Sequence, residues 1–157
     1  MIQRISKRLI SLLLATAMIL AMMPVVSLPA YAATSGNISG LSDDSIGLSY
    51  TGDAENAWSV TGGTTVVGSA KSKSGSCGGS TDCKSTLTIT NQKSTTAVLS
   101  FDYTVAANSG TIKVNGAAVS AGGSFSKELA AGGSVTVYIE SGNTSSATSI
   151  TLSNISL

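Results

Sequence analysis

The chain has 157 residues, of which 42% are apolar and 11% charged, with a formal net charge of +1 and no histidine. The missing imidazole excludes Ser-His-Asp and Cys-His activation of a nucleophile. Beyond residue 32 the chain has six Lys, no Arg and eight Asp and Glu, which argues against binding by clustered cations that release counterions from nucleic-acid phosphates.

The N-terminus carries the three parts of a secretion signal. Arg4, Lys7 and Arg8 form a positive start, an apolar run extends from Leu9 to Val26 with Pro24 near its end, and Ala30-Tyr31-Ala32 places small residues at −3 and −1. Residues 1–32 therefore read as a signal peptide cut between Ala32 and Ala33, of a bacterial and rather Gram-positive type. The rival reading is an uncleaved anchor, since the apolar stretch is nearly long enough to span a bilayer; the prolines and the cleavage site weigh against it. No cysteine follows the run to take a lipid.

Cleavage changes the chain that folds. All Met, Pro and Arg lie in residues 1–32, and the remainder holds six Lys against eight Asp and Glu, a balance of −2. That remainder is rich in Gly, Ser and Thr, about a third apolar, and large enough for one two-layer domain. The expected location is secreted, extracellular or at the cell surface, with no membrane span after cleavage.

Residues 33–45 (ATSGNISGLSDDS) lack an apolar pattern and read as a flexible lead-in. From 46 to 157 apolar residues recur at every second position, the period of half-buried strands. Ile46, Leu48 and Tyr50 alternate, followed by Trp58 and Val60, a β-branched run over 64–69, and Leu87 with Ile89. The clearest strand covers 97–105, with Leu99, Phe101, Tyr103 and Val105 on one side. Ile112 and Val114, then Phe125 and Leu129, then Val135, Val137 and Ile139 continue the series. In the last segment Ile150 and Leu152 share a parity that Ile155 and Leu157 break. Either a β-bulge near Ser153-Asn154 or a strand buried on both faces accounts for this.

Turn chemistry agrees. Asn115-Gly116 between two short apolar runs predicts a type I′ hairpin. Ala121-Gly122-Gly123-Ser124 and Ala131-Gly132-Gly133-Ser134 bracket one strand, and Ser141-Gly142-Asn143 opens the last loop. Strands separated by turns at about 8–12 residues predict an antiparallel β-sandwich of jelly-roll type with about eight strands.

Cys77 and Cys83 enclose five residues in a stretch of Gly, Ser and Lys. In an oxidising compartment they are expected to form a disulfide that pins a long polar connection; free thiols are the alternative. Without histidine or a third thiol they cannot complete a zinc site, so no metal ligands are assigned. Calcium needs only oxygen ligands and stays open as a cofactor, although no DxDxDG-like spacing is present.

No catalytic residue is assigned. Asp43-Asp44 and Asp53 with Glu55 sit in segments too polar to raise a carboxyl pKa by burial. Lys113, Asn154 and Asp102 are the right residue types for an isopeptide crosslink. For ligand contact the candidates are Tyr138, which alternates with Val137 and Ile139 and so points outward, Tyr50 at a strand end, and Trp58, which shares a face with Val60 and suits a core better than a ligand.

From Trp58 onward the order STLTITN, VLSFDYTV, TIKVNG, SVTVYIESG and TSITLSNISL resembles jelly-roll modules of bacterial secreted and surface proteins, of the galactose-binding-like or carbohydrate-binding-module-like kind. The resemblance implies a non-catalytic binding or adhesion module with a glycan or other cell-surface ligand. Its rivals are a structural spacer at the front of a larger surface protein and, more remotely, a secreted enzyme.

Overall fold

The computed structural model describes residues 34–52, 57–70, 83–107, 110–142 and 147–157. The signal peptide with its cleavage site, the pair Asp53 and Glu55, and Cys77 lie outside the described residues. Those described form eleven strands and no helix. They are β1 (Thr34–Ile38), β2 (Ile46–Gly52), β3 (Trp58–Thr61), β4 (Thr65–Ala70), β5 (Lys84–Asn91), β6 (Ala97–Ala106), β7 (Thr111–Val114), β8 (Ala117–Ala118), β9 (Gly123–Leu129), β10 (Ser134–Glu140) and β11 (Thr148–Ser156). The count exceeds the expected eight or so chiefly because β1 and the two-residue β8 carry no apolar alternation.

Two antiparallel sheets make a sandwich. One runs β1-β2-β5-β10-β7-β8 and the other β3-β4-β11-β6-β9. Pairs nest around the β7–β8 hairpin: β6 with β9, β5 with β10, β4 with β11. The chain is a long hairpin rolled up, as in a jelly roll. Between the sheets lies one apolar core containing Leu87, Ile89, Leu99, Phe101, Ile112, Val137, Ile139, Ile150 and Leu152, each almost wholly buried. Removing that apolar surface from water is the dominant favourable contribution to folding.

The hairpin prediction holds in detail. Asn115 and Gly116 have φ of 48° and 84°, and Val114 pairs with Ala117 across the turn. The parity break in β11 is a bulge: pairing with β6 shifts between Ser153 and Ser156, and Asn154 adopts φ 53°. The extra residue returns Ile155 to the core while Ile150 and Leu152 stay buried.

The segment read as a flexible lead-in is corrected for residues 34–38, which form edge strand β1. An edge strand is held by its main chain, so it needs no apolar alternation. Here Gly36 pairs with Tyr50, whose ring covers the glycine so closely that an added Cβ would stand 3.1 Å from Cε1. An aromatic side chain thus shields the bare backbone that a glycine leaves at a sheet edge.

Beyond β1, Asp43 accepts hydrogen bonds from the Ser45 main chain and hydroxyl. Lys93, in the turn after β5, donates to the Leu157 carbonyl at 2.7 Å. Asn91 closes the same end of the sandwich from inside. Wholly buried, it donates to the carbonyls of Thr95, Leu129 and Ala130 and accepts from the Lys93 N–H.

Candidate functional site

The three candidate ligand residues do not converge. Trp58 is 6% exposed, donates its indole N–H to Ser85 Oγ at 2.9 Å, and occupies the space over Gly68. It serves the core and presents no face for a ligand. Tyr50 shares the inward parity of Ile46 and Leu48 and packs between the core and Gly36. Only Tyr138 lies on an outer face. Its hydroxyl donates to Glu140 Oε2 at 2.9 Å and its ring sits 5.7 Å from Lys113 Nζ.

Lys113 therefore belongs to the six-stranded sheet, whereas Asp102 and Asn154 belong to the other. The isopeptide triad is not assembled. Two of its members nonetheless meet. Asp102, on β6, accepts from Ser124 Oγ of β9 at 2.6 Å and from Asn154 Nδ2 of β11 at 2.9 Å. The three come from adjacent strands of the five-stranded sheet, and each points away from the core. Asp102 alternates with the buried Phe101, Ser124 is its register partner, and Asn154 is swung outward by the bulge.

These residues, with Ser100 and Ser126, line an open groove of about 300 Å³. Ser100 and Ser156 hydroxyls meet at 3.0 Å just beside it. The Phe125 ring stacks on Phe101 at 4.9 Å between centroids and packs against the core. Both rings also belong to the groove's lining, so its polar rim of Asp102, Ser124 and Asn154 stands beside the half-buried Phe125. The carboxyl of Asp102 is held below its ordinary value of 3.8, first by the Ser124 hydroxyl and then by the Asn154 amide. Both hydrogen bonds favour the charged form. At neutral pH it is an ionised acceptor with fixed orientation.

No family model matches the chain, and no curated protein matches it. Its own residues carry the functional reading.

A larger cavity, about 400 Å³, lies at the β1–β2 edge and is lined by Asn37, Ser39, Asp43, Asp44, Ser49 and Gln92 among others. Asp43 is also held below its ordinary value, first by the Ser45 hydroxyl and further by the positive charge of Lys93. Its carboxylate is thus engaged in ordering the loop. Among the described residues no three His, Cys, Asp or Glu side chains come together to hold a metal ion. Cys83 is wholly buried where β5 begins, and its N–H donates to Ser141 Oγ.

The Asp102 groove was half-legible in the sequence. The parity break at Ser153-Asn154 marked the bulge, and Asn is among the residues that tolerate a left-handed backbone. What the sequence could not supply was the register that puts Ser124 and Asn154 on either side of Asp102.

Proposed function

We propose that this domain is a secreted, non-catalytic binding module of a bacterial surface or extracellular protein, with a carbohydrate as its ligand. The observation that carries the reading is the Asp102–Ser124–Asn154 constellation on the outer face of the five-stranded sheet. An ionised acceptor flanked by an amide and several hydroxyls is suited to hydroxyl-rich ligands, because it accepts from one sugar hydroxyl while its neighbours serve the next. A bulge that re-aims Asn154 onto this carboxylate fits the use of bulges next to functional sites.

Export follows from the signal-like residues 1–32, and the lack of histidine supports a binding role over a catalytic one. Asp102, ionised well below neutral pH, is an acceptor and not a proton carrier for neutral-pH chemistry.

The test is retention of the folded domain on a glycan array, compared with Asp102→Ala. Binding that falls about tenfold or more in the variant, the loss expected for a charged hydrogen bond, supports the reading. Equal binding by both proteins moves the site elsewhere. Absence of any retained glycan favours the spacer role.

A further inference from the structure

Building on the carbohydrate reading above, we infer that the groove selects uncharged glycans and rejects those bearing carboxylates, with Asp102 as the specificity-determining residue. On the five-stranded sheet, the outward positions beside it are Ser59 and Thr61 on β3, Thr65, Val67 and Ser69 on β4, and Ser149, Thr151 and Ser153 on β11. On β6 they are Val98, Ser100 and Thr104, and on β9 Ser124, Ser126 and Glu128. Among the described residues this face holds two acids and no cation.

Lys127, next to Ser126 on β9, does not change that. Lys127 alternates with Ser126 and Glu128, and its ammonium reaches toward Asn115 Oδ1 at 3.5 Å. A uronate or sialate entering the groove would bring a second negative charge toward Asp102, and among the described residues this face has no Lys or Arg to neutralise it. Two like charges a few ångströms apart at a protein surface repel by an amount that corresponds to about tenfold or more in affinity. Neutral sugars meet no such penalty, and their hydroxyls are donors to the same oxygens.

Asp102 also cannot escape the conflict by taking up a proton. Its two donors, Ser124 and Asn154, stabilise the ionised state. Discrimination therefore persists through mildly acidic pH. A site in which the carboxyl protonated readily would lose it.

The experiment titrates the folded domain with its best array-retained neutral oligosaccharide and with the same oligosaccharide carrying one uronic acid, by calorimetry. The Asp102→Asn variant, which keeps the shape and the outward position, is run beside it with a thermal melt to confirm folding. The expected result is at least about tenfold weaker binding of the acidic form by the native protein, collapsing to within about twofold in Asp102→Asn. Equal or tighter binding of the acidic sugar by the native protein overturns the inference and leaves carbohydrate binding standing. Discrimination that survives unchanged in Asp102→Asn overturns it as well. If no glycan binds at all, the underlying carbohydrate reading fails and takes this inference with it.

Discussion

Asn154 donates its side-chain amide to Asp102 across 2.9 Å, from a position 52 residues away, while its own backbone is held in the left-handed region at φ 53°. Conformation and hydrogen bond make separable contributions. Asn154→Ala loses both the bond and the tolerance for this backbone, whereas Asn154→Gly loses only the bond. The alanine variant is expected to be less stable than the glycine variant by about 1 kcal/mol, the usual cost of a Cβ in this region. Both should let the Asp102 carboxyl rise toward its ordinary value. Urea midpoints and an NMR titration of the carboxyl read the two effects. A glycine variant as damaged as the alanine one would show that the backbone there is unstrained.

The pH dependence follows from the same hydrogen bonds. Asp102 and Asp43 both titrate lower in the folded domain than their ordinary 3.8. In the unfolded chain they bind protons first as pH falls, so the unfolded state gains and stability drops. Their contribution is complete above the ordinary aspartate range and is lost as pH falls through the lowered folded values. Urea midpoints should be level between pH 7 and 5 as far as these groups are concerned, then decline below about pH 4. Asp102→Asn should flatten part of that acid decline. An unchanged acid limb would mean that Ser124 and Asn154 do not hold the carboxylate in solution.

Asn91 was invisible as anything but the end of STLTITN. Its amide reaches the carbonyls of Thr95, Leu129 and Ala130 at 2.9, 3.0 and 3.1 Å, tying the turn after β5 to the turn before β10. The main chain repeats the tie, because Asn91 N–H donates to Gly133 O and Gly132 N–H to Asn91 O. Asn91→Leu keeps the volume but removes every side-chain bond in a buried place. A loss of about 3 kcal/mol is expected, since the abandoned carbonyls and the Lys93 N–H must go unsatisfied or the turns must move. Amide exchange at Gly132 and Gly133 should quicken. A cost under about 0.5 kcal/mol would mean that water replaces the amide.

Local signals were legible and long-range ones were not. Asn115-Gly116 specifies its own turn, and the alternation of Leu99, Phe101, Tyr103 and Val105 specifies its own buried face, because each needs only neighbours in sequence. The bulge at Asn154 was detectable through parity, yet one alternative fitted equally well until the pairing with β6 decided it. β1 escaped because an edge strand is recruited by main-chain bonds to β2, and TSGNI has no pattern to betray that. Trp58 was ambiguous for a related reason. Its burial depends on Ser85 and Gly68, which lie on other strands. The Asp102 groove belongs to the same class: its three members come from three strands, and only register unites them.

Trp58 and Gly68 are register partners on β3 and β4, and a Cβ at Gly68 would overlap the indole ring. Gly68→Ala should therefore destabilise by about 1–3 kcal/mol through overpacking. Trp58→Leu opens space at the same spot and abandons the hydrogen bond to Ser85, costing about 3 kcal/mol or more. Combined, the added methyl occupies part of the vacated volume. The double variant should be more stable than the sum of the singles by at least about 0.5 kcal/mol. Additive costs would show that the ring and the glycine do not compete for the same space.

The proposed Cys77–Cys83 disulfide makes an ordering prediction among variants. Cys83 is fully buried, and its backbone exchanges hydrogen bonds with Ser141 at the end of β10. Cys77 lies in the Gly/Ser-rich connection outside the described residues. If the two are bridged, Cys77→Ser removes the crosslink alone, and a loop this short is worth about 2 kcal/mol in the chain-entropy description. Cys83→Ala removes the crosslink and also leaves a gap in the core, so it should cost more, by about another 1 kcal/mol. Secreted protein should have a mass lower by two hydrogens than the reduced chain beginning at Ala33, and no thiol should react with iodoacetamide in denaturant until a reductant is added. If both thiols alkylate without reductant, the bridge is absent. Cys77→Ser should then be neutral, while Cys83→Ala keeps only its packing cost.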